Sequence, residues 1–297
     1  MDPKWLRDLL ALHAAQSFSR ASAQRNITQS AFSRRIRALE DWVGTPLVQR
    51  DSVPLELSEA GKDLIPLART IVAQLDELEA HVAERQGYRR RFLRIAAQHS
   101  PSTMALPAHL CELHDRLPQL HTHVVSGNLS DCIELLNLGQ CDIVICYSHP
   151  AARLELDAET YETLSIGQDA LVPVMSMAAK GKWRFPGTEQ APIPVVTYEV
   201  ESFLGMVMRE KFADPRLFAE ILHIDSYSEA LKQIVLTGLG VAWLPRSLVA
   251  DEIRRGTLLQ LSKDDWCSEL SLVAIFRRGA HGPAMRAARS YFGEVGS

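Results

Sequence analysis

No apolar run in this chain reaches the length of about 18 residues that a membrane-spanning helix needs, so no membrane span is expected. The five cysteines (Cys111, Cys132, Cys141, Cys146 and Cys267) are an odd number and form no CxxC pair. That argues against a disulfide framework and a zinc knuckle, and for a reducing setting. GxSxG, a P-loop and GxGxxG are all missing, which removes the nucleophile elbow, the nucleotide cradle and the dinucleotide turn. His121 and His123 share a strand face, but no third ligand sits at a recognisable spacing. No metal, no cofactor and no catalytic residue are expected, and the chain is read as a non-enzyme. Gly238-Leu239-Gly240 reads as a helix-ending turn and Asp264-Asp265 as a solvated loop. The start, MDPKWLRDLL, is acidic and lacks a cleavable apolar core, so a cytoplasmic location is expected.

What the chain does have is a soluble balance, 46% hydrophobic and 23% charged, over 297 residues, enough for two or three domains. Its organising stretch runs from Ser19 to Glu40 and predicts two short helices around a tight turn. Ser19 is a candidate N-cap, and Ala21, Ser22 and Ala23 let a neighbouring helix approach closely. Asn26 can adopt the left-handed conformation that ends a helix, Ile27 plugs the turn, and Thr28 caps the second helix. Phe32, Ile36 and Leu39 are spaced four and three apart and form one apolar stripe. Gln29, Ser30, Ser33, Arg34 and Arg37 fall on other faces. Short polar groups that reach base edges, with arginines that reach phosphates, suit the DNA major groove.

An ordinary amphipathic hairpin with a solvated basic face competes with this reading. Charge separates the two. Residues 20–50 carry six arginines against Glu40 and Asp41, a net of +4, in a chain whose formal net charge is −4. One sign concentrated on one segment is the footprint of a phosphate-binding surface.

SFSRAS, then NITQSAFSRRIRALE, then GTPLVQR and LSEAG together resemble the winged helix-turn-helix of LysR-type transcriptional regulators. The resemblance spans Trp5 to about Gly61. Ser22 stands where that family usually has alanine, and Val48 where phenylalanine is usual. On this resemblance the DNA-binding residues are Ser19, Arg20, Thr28, Gln29, Ser30, Ser33, Arg34, Arg35, Arg37 and, in the wing, Arg50. The partner implied is double-stranded promoter DNA, with RNA polymerase as a further one.

Around that stretch, residues 4–16 predict a bracing helix with Trp5, Leu6, Leu9, Leu10 and Leu12 toward the core. Pro46 to Val48 and Pro54 to Leu57 predict a two-stranded wing with a polar tip. Ser58 caps a long helix to about residue 86, with Leu64, Leu67, Ile71, Leu75, Leu78 and Val82 on a near-heptad seam. A narrow apolar seam needs a partner. A second copy makes a homodimer that reads an inverted repeat; packing within the chain is the alternative. QGYRRR, 86–91, is a charged hinge.

Beyond the hinge, strands and helices alternate: Phe92–Ala97, a helix from Ser102 or Thr103 to Arg116, Leu120–Val125, Leu129–Leu138, then Asp142–Cys146. A second set follows Gly167 and ends in a strand Leu270–Phe276 and a helix Pro283–Phe292. The pattern predicts a mostly parallel sheet with helices on both faces. The resemblance adds two lobes hinged by two strands, like a periplasmic binding protein. The expected organisation is a winged helix-turn-helix over 1–60, a linker helix and hinge over 61–90, and an effector domain over 91–297. Its lobe I covers about 91–166 and 268–297, and lobe II about 167–267.

Small ligands in such folds bind where strands end and helices begin. The candidate effector residues are Ser100, Ser102 and Thr103; Asn128 and Ser130; Tyr147; Tyr198, Ser202 and Phe203; and Ser226 and Tyr227. Hydroxyls and backbone N–H groups there suit a carboxylate or another small anion. Simple helix capping accounts equally well for any one of these residues.

FLRIAAQHSPS, LSEAGK and EALKQIVLTGLGVAWLP are similar to segments of hypochlorite-responsive members of that family. The resemblance implies a stress response through methionine oxidation. The matching positions here, Leu113, Leu204 and Tyr227, are not methionine. Met206 and Met208 lie nearby and are the candidate redox residues, beside the cysteines. Core filling is the competing role for both.

The chain is therefore read as an α/β protein with an all-α winged helix-turn-helix at its N-terminus, a long linker helix and a two-lobed effector domain. The expected function is that of a LysR-type regulator that alters dimer or homotetramer geometry on DNA when a small effector binds. Two alternatives are an oxidant-responsive regulator, and a small-molecule-binding protein or enzyme with an accessory helical domain.

Overall fold

The computed structural model describes residues 2–49, 55–85, 91–154, 156–262, 265–280 and 282–296, side chains 73, 76–85 and 91 excepted. The chain forms two compact units, Met1–Arg90 with Glu134–Cys141, and Arg91–Ile133 with Asp142–Ser297.

The first unit is built from α1 (Pro3–Ala15), α2 (Phe18–Gln24), α3 (Gln29–Val43), β1 (Val48–Gln49), β2 (Glu56–Leu57) and α4 (Glu59–Arg85). Asp2 caps α1, with its side chain accepting from Lys4 N. Ser17, not Ser19, caps α2; the Ser19 carbonyl accepts from the Ser22 hydroxyl inside the helix. Both serines have the right chemistry, and Phe18 decides between them by packing edge-on to Phe32 at 6.0 Å. Asn26 is left-handed at φ 53°, and the Thr28 side chain accepts from Ala31 N at 3.3 Å. Gly44, at φ 82°, ends α3.

Phe32, Ile36 and Leu39 are fully buried against Leu6, Leu9, Leu12 and Leu47. Each such side chain contributes about 2 kcal/mol of burial. β1 and β2 pair antiparallel, Val48 opposite Leu57, as the stem of the wing. Arg50 and the wing tip lie outside the described residues. Ser58 caps α4 through Gly61 N at 3.1 Å. Gly61 passes so close to β1 that an added Cβ would sit 2.2 Å from the Leu47 carbonyl oxygen.

α4 differs from the single seam expected. Ile65, Ala68 and Val72 are buried in the unit's own core, Leu64 and Ile71 are half-buried beside them, and Leu67 is 60% exposed. The apolar surface of α4 is wider than one heptad stripe, and much of it packs within the chain. The Leu78 and Val82 side chains and the hinge 86–90 lie outside the described residues.

From Arg91 the chain runs β3 (Arg91–Gln98), α5 (His99–Met104), α6 (Leu106–Arg116), β4 (Leu120–Gly127), α7 (Leu129–Asn137), β5 (Ile143–Ser148), β6 (Tyr161–Ser176), β7 (Ile193–Tyr198), α8 (Phe203–Phe212), β8 (Ala219–Asp225), α9 (Ser228–Leu236), β9 (Val241–Pro245), α10 (Arg246–Arg255), β10 (Leu258–Gln260), β11 (Ser268–Arg277) and α11 (Pro283–Val295); all but the part of α7 from Glu134 on belongs to the second unit. Among the described residues the strands form one sheet in the order β4-β3-β5-β11-β6-β9-β7-β8, with β10 on β6.

The sheet is mixed rather than mostly parallel. β3 is parallel to β4 and β5, and β7 to β8 and β9, while β11 is antiparallel to β5 and β6, and β6 to β9. The first lobe's ladder is therefore carried into the second by two long strands. β6 pairs with β11 over its first part and with β9 and β10 over its last. Where the lobes meet, the register passes from Leu272 opposite Gly167 to Val273 opposite Ser165, leaving Ile166 as an inserted residue. β11 also pairs with β5, and Phe292 of α11 packs on Phe276 of β11 at 6.0 Å.

One helix expected from Ser102 or Thr103 is two. α5 starts at His99, and Ala105 separates it from α6, where Pro107 occupies the first turn. No helix among the described residues is long and apolar enough to cross a membrane.

Candidate nucleic-acid interface and ligand cleft

The buried stripe of α3 fixes which side faces outward. Thr28, Gln29, Ser30, Arg34 and Arg37 are exposed, Ser33 is half-exposed, and Ser19 and Arg20 are exposed on α2. Ser30 exchanges a hydrogen bond with Thr28 at 3.2 Å, so the first turn of α3 presents a small polar cluster. Among the described residues, Arg20, Arg34 and Arg37 have no carboxylate partner. Glu40 points the other way. Its Oε1 accepts Leu47 N at 2.9 Å and Val48 N at 3.3 Å, tying α3 to the first wing strand.

Arg35 stands apart from the other candidates. Its Nη1 lies 3.4 Å from Asp8 Oδ2, and Arg25 Nε donates to Asp8 Oδ1 at 2.8 Å. Asp8 is completely buried in the apolar run of α1. Arg35 is thus turned toward the scaffold, not outward with Arg34 and Arg37. Asp8 and Arg25 were not among the expected site residues. The two arginines lie 17 and 27 residues from Asp8, beyond the reach of helical periodicity.

In the second unit, several of the expected effector residues come together where the lobes meet. The Ser100 hydroxyl, buried on α5, donates to Ser228 Oγ at 3.1 Å, and the Tyr198 hydroxyl lies 3.0 Å from the same oxygen. Thr103 Oγ1 donates to Glu229 Oε1 at 2.9 Å, and the His99 ring lies 4.7 Å from that of Tyr227. His99, Ser100 and Thr103 stand on the first lobe; Tyr198, Tyr227, Ser228 and Glu229 stand on the second. The cleft is bridged by side-chain hydrogen bonds.

A second polar cluster lies behind it. The Tyr147 hydroxyl donates to Asp169 Oδ2 at 2.6 Å, and the Ser247 hydroxyl donates to the same oxygen at 2.5 Å. Ala170 N and Ser247 N donate to Asp169 Oδ1. Burial, with the Asp169 carboxylate beside it, pushes the Tyr147 phenol well above its usual range, so it remains a donor. Burial pushes Tyr198 up in the same way, against the Ser228 hydrogen bond. The Gln98 side chain accepts Tyr147 N at 2.9 Å, tying the end of β3 to β5.

Other candidates sit elsewhere or are already engaged. Ser102 pairs with Ser126 at 2.6 Å. Ser202 caps α8, accepting from Gly205 N at 3.0 Å and donating to the Glu199 carbonyl at 2.7 Å. Phe203 is buried core. Ser226 immediately precedes Tyr227, which is 49% exposed. Asn128 and Ser130 are exposed at the start of α7 and join none of these bonds among the described residues.

Of the redox candidates, Met208 is buried and Met206 half-buried on α8. Leu113 and Leu204 are core residues. Gln98, His99 and Ser228 fall within the helix starts 98–103 and 225–228 that sequence reasoning picks out as ligand termini, whereas Asp169, Glu229 and Ser247 were passed over. Asp169 alone left a signal, a carboxylate set against the apolar run Ala170–Val174.

Comparison with known proteins follows this division. Residues 3–62 match the family model described as bacterial regulatory helix-turn-helix protein, lysR family, and residues 86–297 match the LysR substrate binding domain. The HTH-type transcriptional regulator YjiE of Escherichia coli K12 is 34% identical over 270 residues, 89% of this chain and 85% of that protein. The full-length structure of HypT from Salmonella typhimurium, a hypochlorite-specific LysR-type transcriptional regulator, is similar at 29% identity and a TM-score of 0.58, covering 99% of this chain and 98% of that one. Vibrio fischeri DarR in complex with DNA is similar at 28% identity and a TM-score of 0.58, covering 99% of both chains.

Proposed function

We propose, for a chain that belongs to the LysR family of transcriptional regulators, a specific division of labour among the residues described above. The family assignment makes this a DNA-binding transcriptional regulator with an effector-binding domain, and its relatives are regulators rather than enzymes. Residues 1–60 form the DNA-binding domain. The exposed face of α3 enters the major groove, with Gln29, Ser30 and Ser33 toward base edges and Arg34 and Arg37 toward phosphates. Arg20 and Ser19 on α2, and Arg50 in the wing, grip the flanking backbone. The exposed side of α4, with Leu67, pairs with a second copy. Two such dimers make a tetramer on promoter DNA in the cytoplasm, within reach of RNA polymerase.

The signal enters between lobes 91–166 with 268–297 and 167–267. The observation that carries this reading is the hydroxyl chain Ser100–Ser228–Tyr198. A small anion seated between α5 and α9 takes over those donors together with backbone N–H groups at the start of α9. Exchanging direct lobe–lobe bonds for ligand-mediated ones changes lobe closure. Differential affinity for the two closures is what lets a ligand shift the DNA-bound state. Calorimetry of the full-length protein against a panel of small carboxylates tests this. Saturable binding that Ser100→Ala weakens supports the reading, and no heat from any of them across the panel removes the anion class.

An oxidant signal acting through Met206 or Met208 is the second reading, suggested by the likeness to HypT, a hypochlorite-specific regulator. Promoter affinity that changes with hypochlorite, in step with sulfoxide at either methionine, decides for it. An unchanged response in the double Met→Gln variant decides against it.

A further inference from the structure

Asp8 is an unusual residue to find at the centre of α1. It lies in the run Leu6 to Leu12, whose leucines form the core of the first unit, and its side chain is completely buried. A lone carboxylate there is very costly, and only opposite charge with hydrogen bonds offsets the desolvation. Two arginines supply that charge. Arg25 ends α2 and approaches Oδ1 at 2.8 Å; Arg35 comes from α3 and approaches Oδ2 at 3.4 Å. Their side chains are 23% and 32% exposed. Arg20, Arg34 and Arg37 are exposed on the surface of the same two helices.

We infer that Asp8 withholds Arg25 and Arg35 from DNA phosphate and so keeps the sequence-independent part of the DNA affinity low. The inference rests on the reading of α3 as the recognition helix. Its physical basis is the difference between the two kinds of DNA contact. Phosphate contacts add affinity for every sequence alike, whereas base contacts favour one. An arginine at position 35, between Arg34 and Arg37, adds to the first kind wherever it swings outward. Held inward on a buried carboxylate, it leaves the count of phosphate contacts low, and with it the affinity for any duplex, promoter or not. The same pairing joins α1, the end of α2 and α3 at one point, so the base-reading face is also held in orientation.

The test is Asp8→Asn in the full-length chain, which keeps the side chain's size and removes its charge. Binding to promoter DNA and to an unrelated duplex of equal length is followed between 50 and 200 mM salt. With the arginines freed, affinity for the unrelated duplex rises, and its log–log salt slope steepens by about 0.9 for each arginine released. Affinity for the promoter rises by the same factor, about tenfold for each added phosphate contact near 0.1 M salt, so the ratio of the two stays that of wild type. A variant that melts lower but keeps the wild-type slopes and affinities makes Asp8 a purely structural ion-pair partner and overturns the inference.

If Asp8→Asn does not fold, Arg25→Gln decides. A withheld arginine can be neutralised with no change in salt slope, and a slope shallower by about 0.9 means that Arg25 already holds a phosphate. Arg34→Ala, measured alongside, separates this result from the parent reading. If Arg34→Ala binds promoter DNA like wild type, α3 is not the recognition helix.

Discussion

Glu40 and Leu47 are joined by a hydrogen bond from the Leu47 backbone N–H to the Glu40 carboxylate at 2.9 Å, and through it the end of α3 carries the first strand of the wing. Val48 N shares the same oxygen at 3.3 Å. Glu40→Ala leaves two backbone donors without their acceptor, at a cost of about 1–3 kcal/mol. Chemical denaturation should show that loss. Promoter affinity should fall as well, because the wing is no longer held to the helix beside it. Loss of stability with unchanged DNA affinity would place the wing outside the interface.

Arg34 is exposed on α3 and has no carboxylate partner among the described residues. Arg34→Ala should weaken promoter binding and lower the salt slope by about 0.9 if it contacts one phosphate. A contact to a base would instead cost about 1–3 kcal/mol and relax discrimination at one position of the site. Anisotropy titrations against promoter and point-substituted duplexes distinguish the two.

Ser228 is the shared member of the lobe–lobe hydroxyl chain. Ser228→Ala removes that partner from both the Ser100 and Tyr198 hydroxyls in a buried setting. The expected penalty is about 1–3 kcal/mol, read as a lower melting temperature. Small-angle scattering of the variant should show a larger radius if the bridge holds the lobes together. An unchanged radius at lowered stability would mean that other contacts set closure.

Glu229 adds a prediction about ligand charge. Its carboxylate bonds Thr103 across the cleft and stands where an anion would be received. Glu229→Gln should therefore strengthen binding of any carboxylate effector, by up to about tenfold for relief of one like charge at partial exposure. A weaker carboxylate complex would show that Glu229 helps to hold the effector.

His109 Nδ1 lies 2.7 Å from the Tyr291 hydroxyl between α6 and α11, and burial holds its pKa below the ordinary 6.5. In acid the unfolded ring takes up a proton before the folded one does. The stabilisation from the neutral ring is complete above about pH 6.5 and declines as pH falls through 6.5 toward the lowered folded value. Melting temperature between pH 7 and 5 should drop more for wild type than for His109→Gln. Equal drops would mean that other groups carry the acid sensitivity.

Local chemistry made the first unit legible from its sequence. Asn26, Thr28 and Gly44 each need a particular backbone shape or hydrogen bond, and each is found where that need predicts. Ser17 and Ser19 show the limit: both can cap, and the packing of Phe18 on Phe32 chose between them. The Asp8 pairing was hidden because its three members sit on three helices. In the second unit, strand periodicity marked β3 and β5 but not the full length of β6. Its first part exposes Thr163, Ser165 and Gln168, an alternation broken at the inserted Ile166, and runs on into the second lobe. α10 was missed because only Leu248 and Val249 are buried, too short a pattern to register as a helix face. The cleft could be placed by strand ends, but Ser228 and Glu229 gained their roles from residues about 125 positions away.

The inserted Ile166 lies where two strands thread both lobes, opposite the step from Leu272 to Val273. A ladder that continues through that point resists sliding and spreading, because either would break hydrogen bonds along β6 and β11. Twisting about the irregularity breaks none of them. The pair of strands acts like a leaf spring, stiff in its plane and compliant about one line. Any change in how the two lobes close would then be a rotation about that line, described by a single angle.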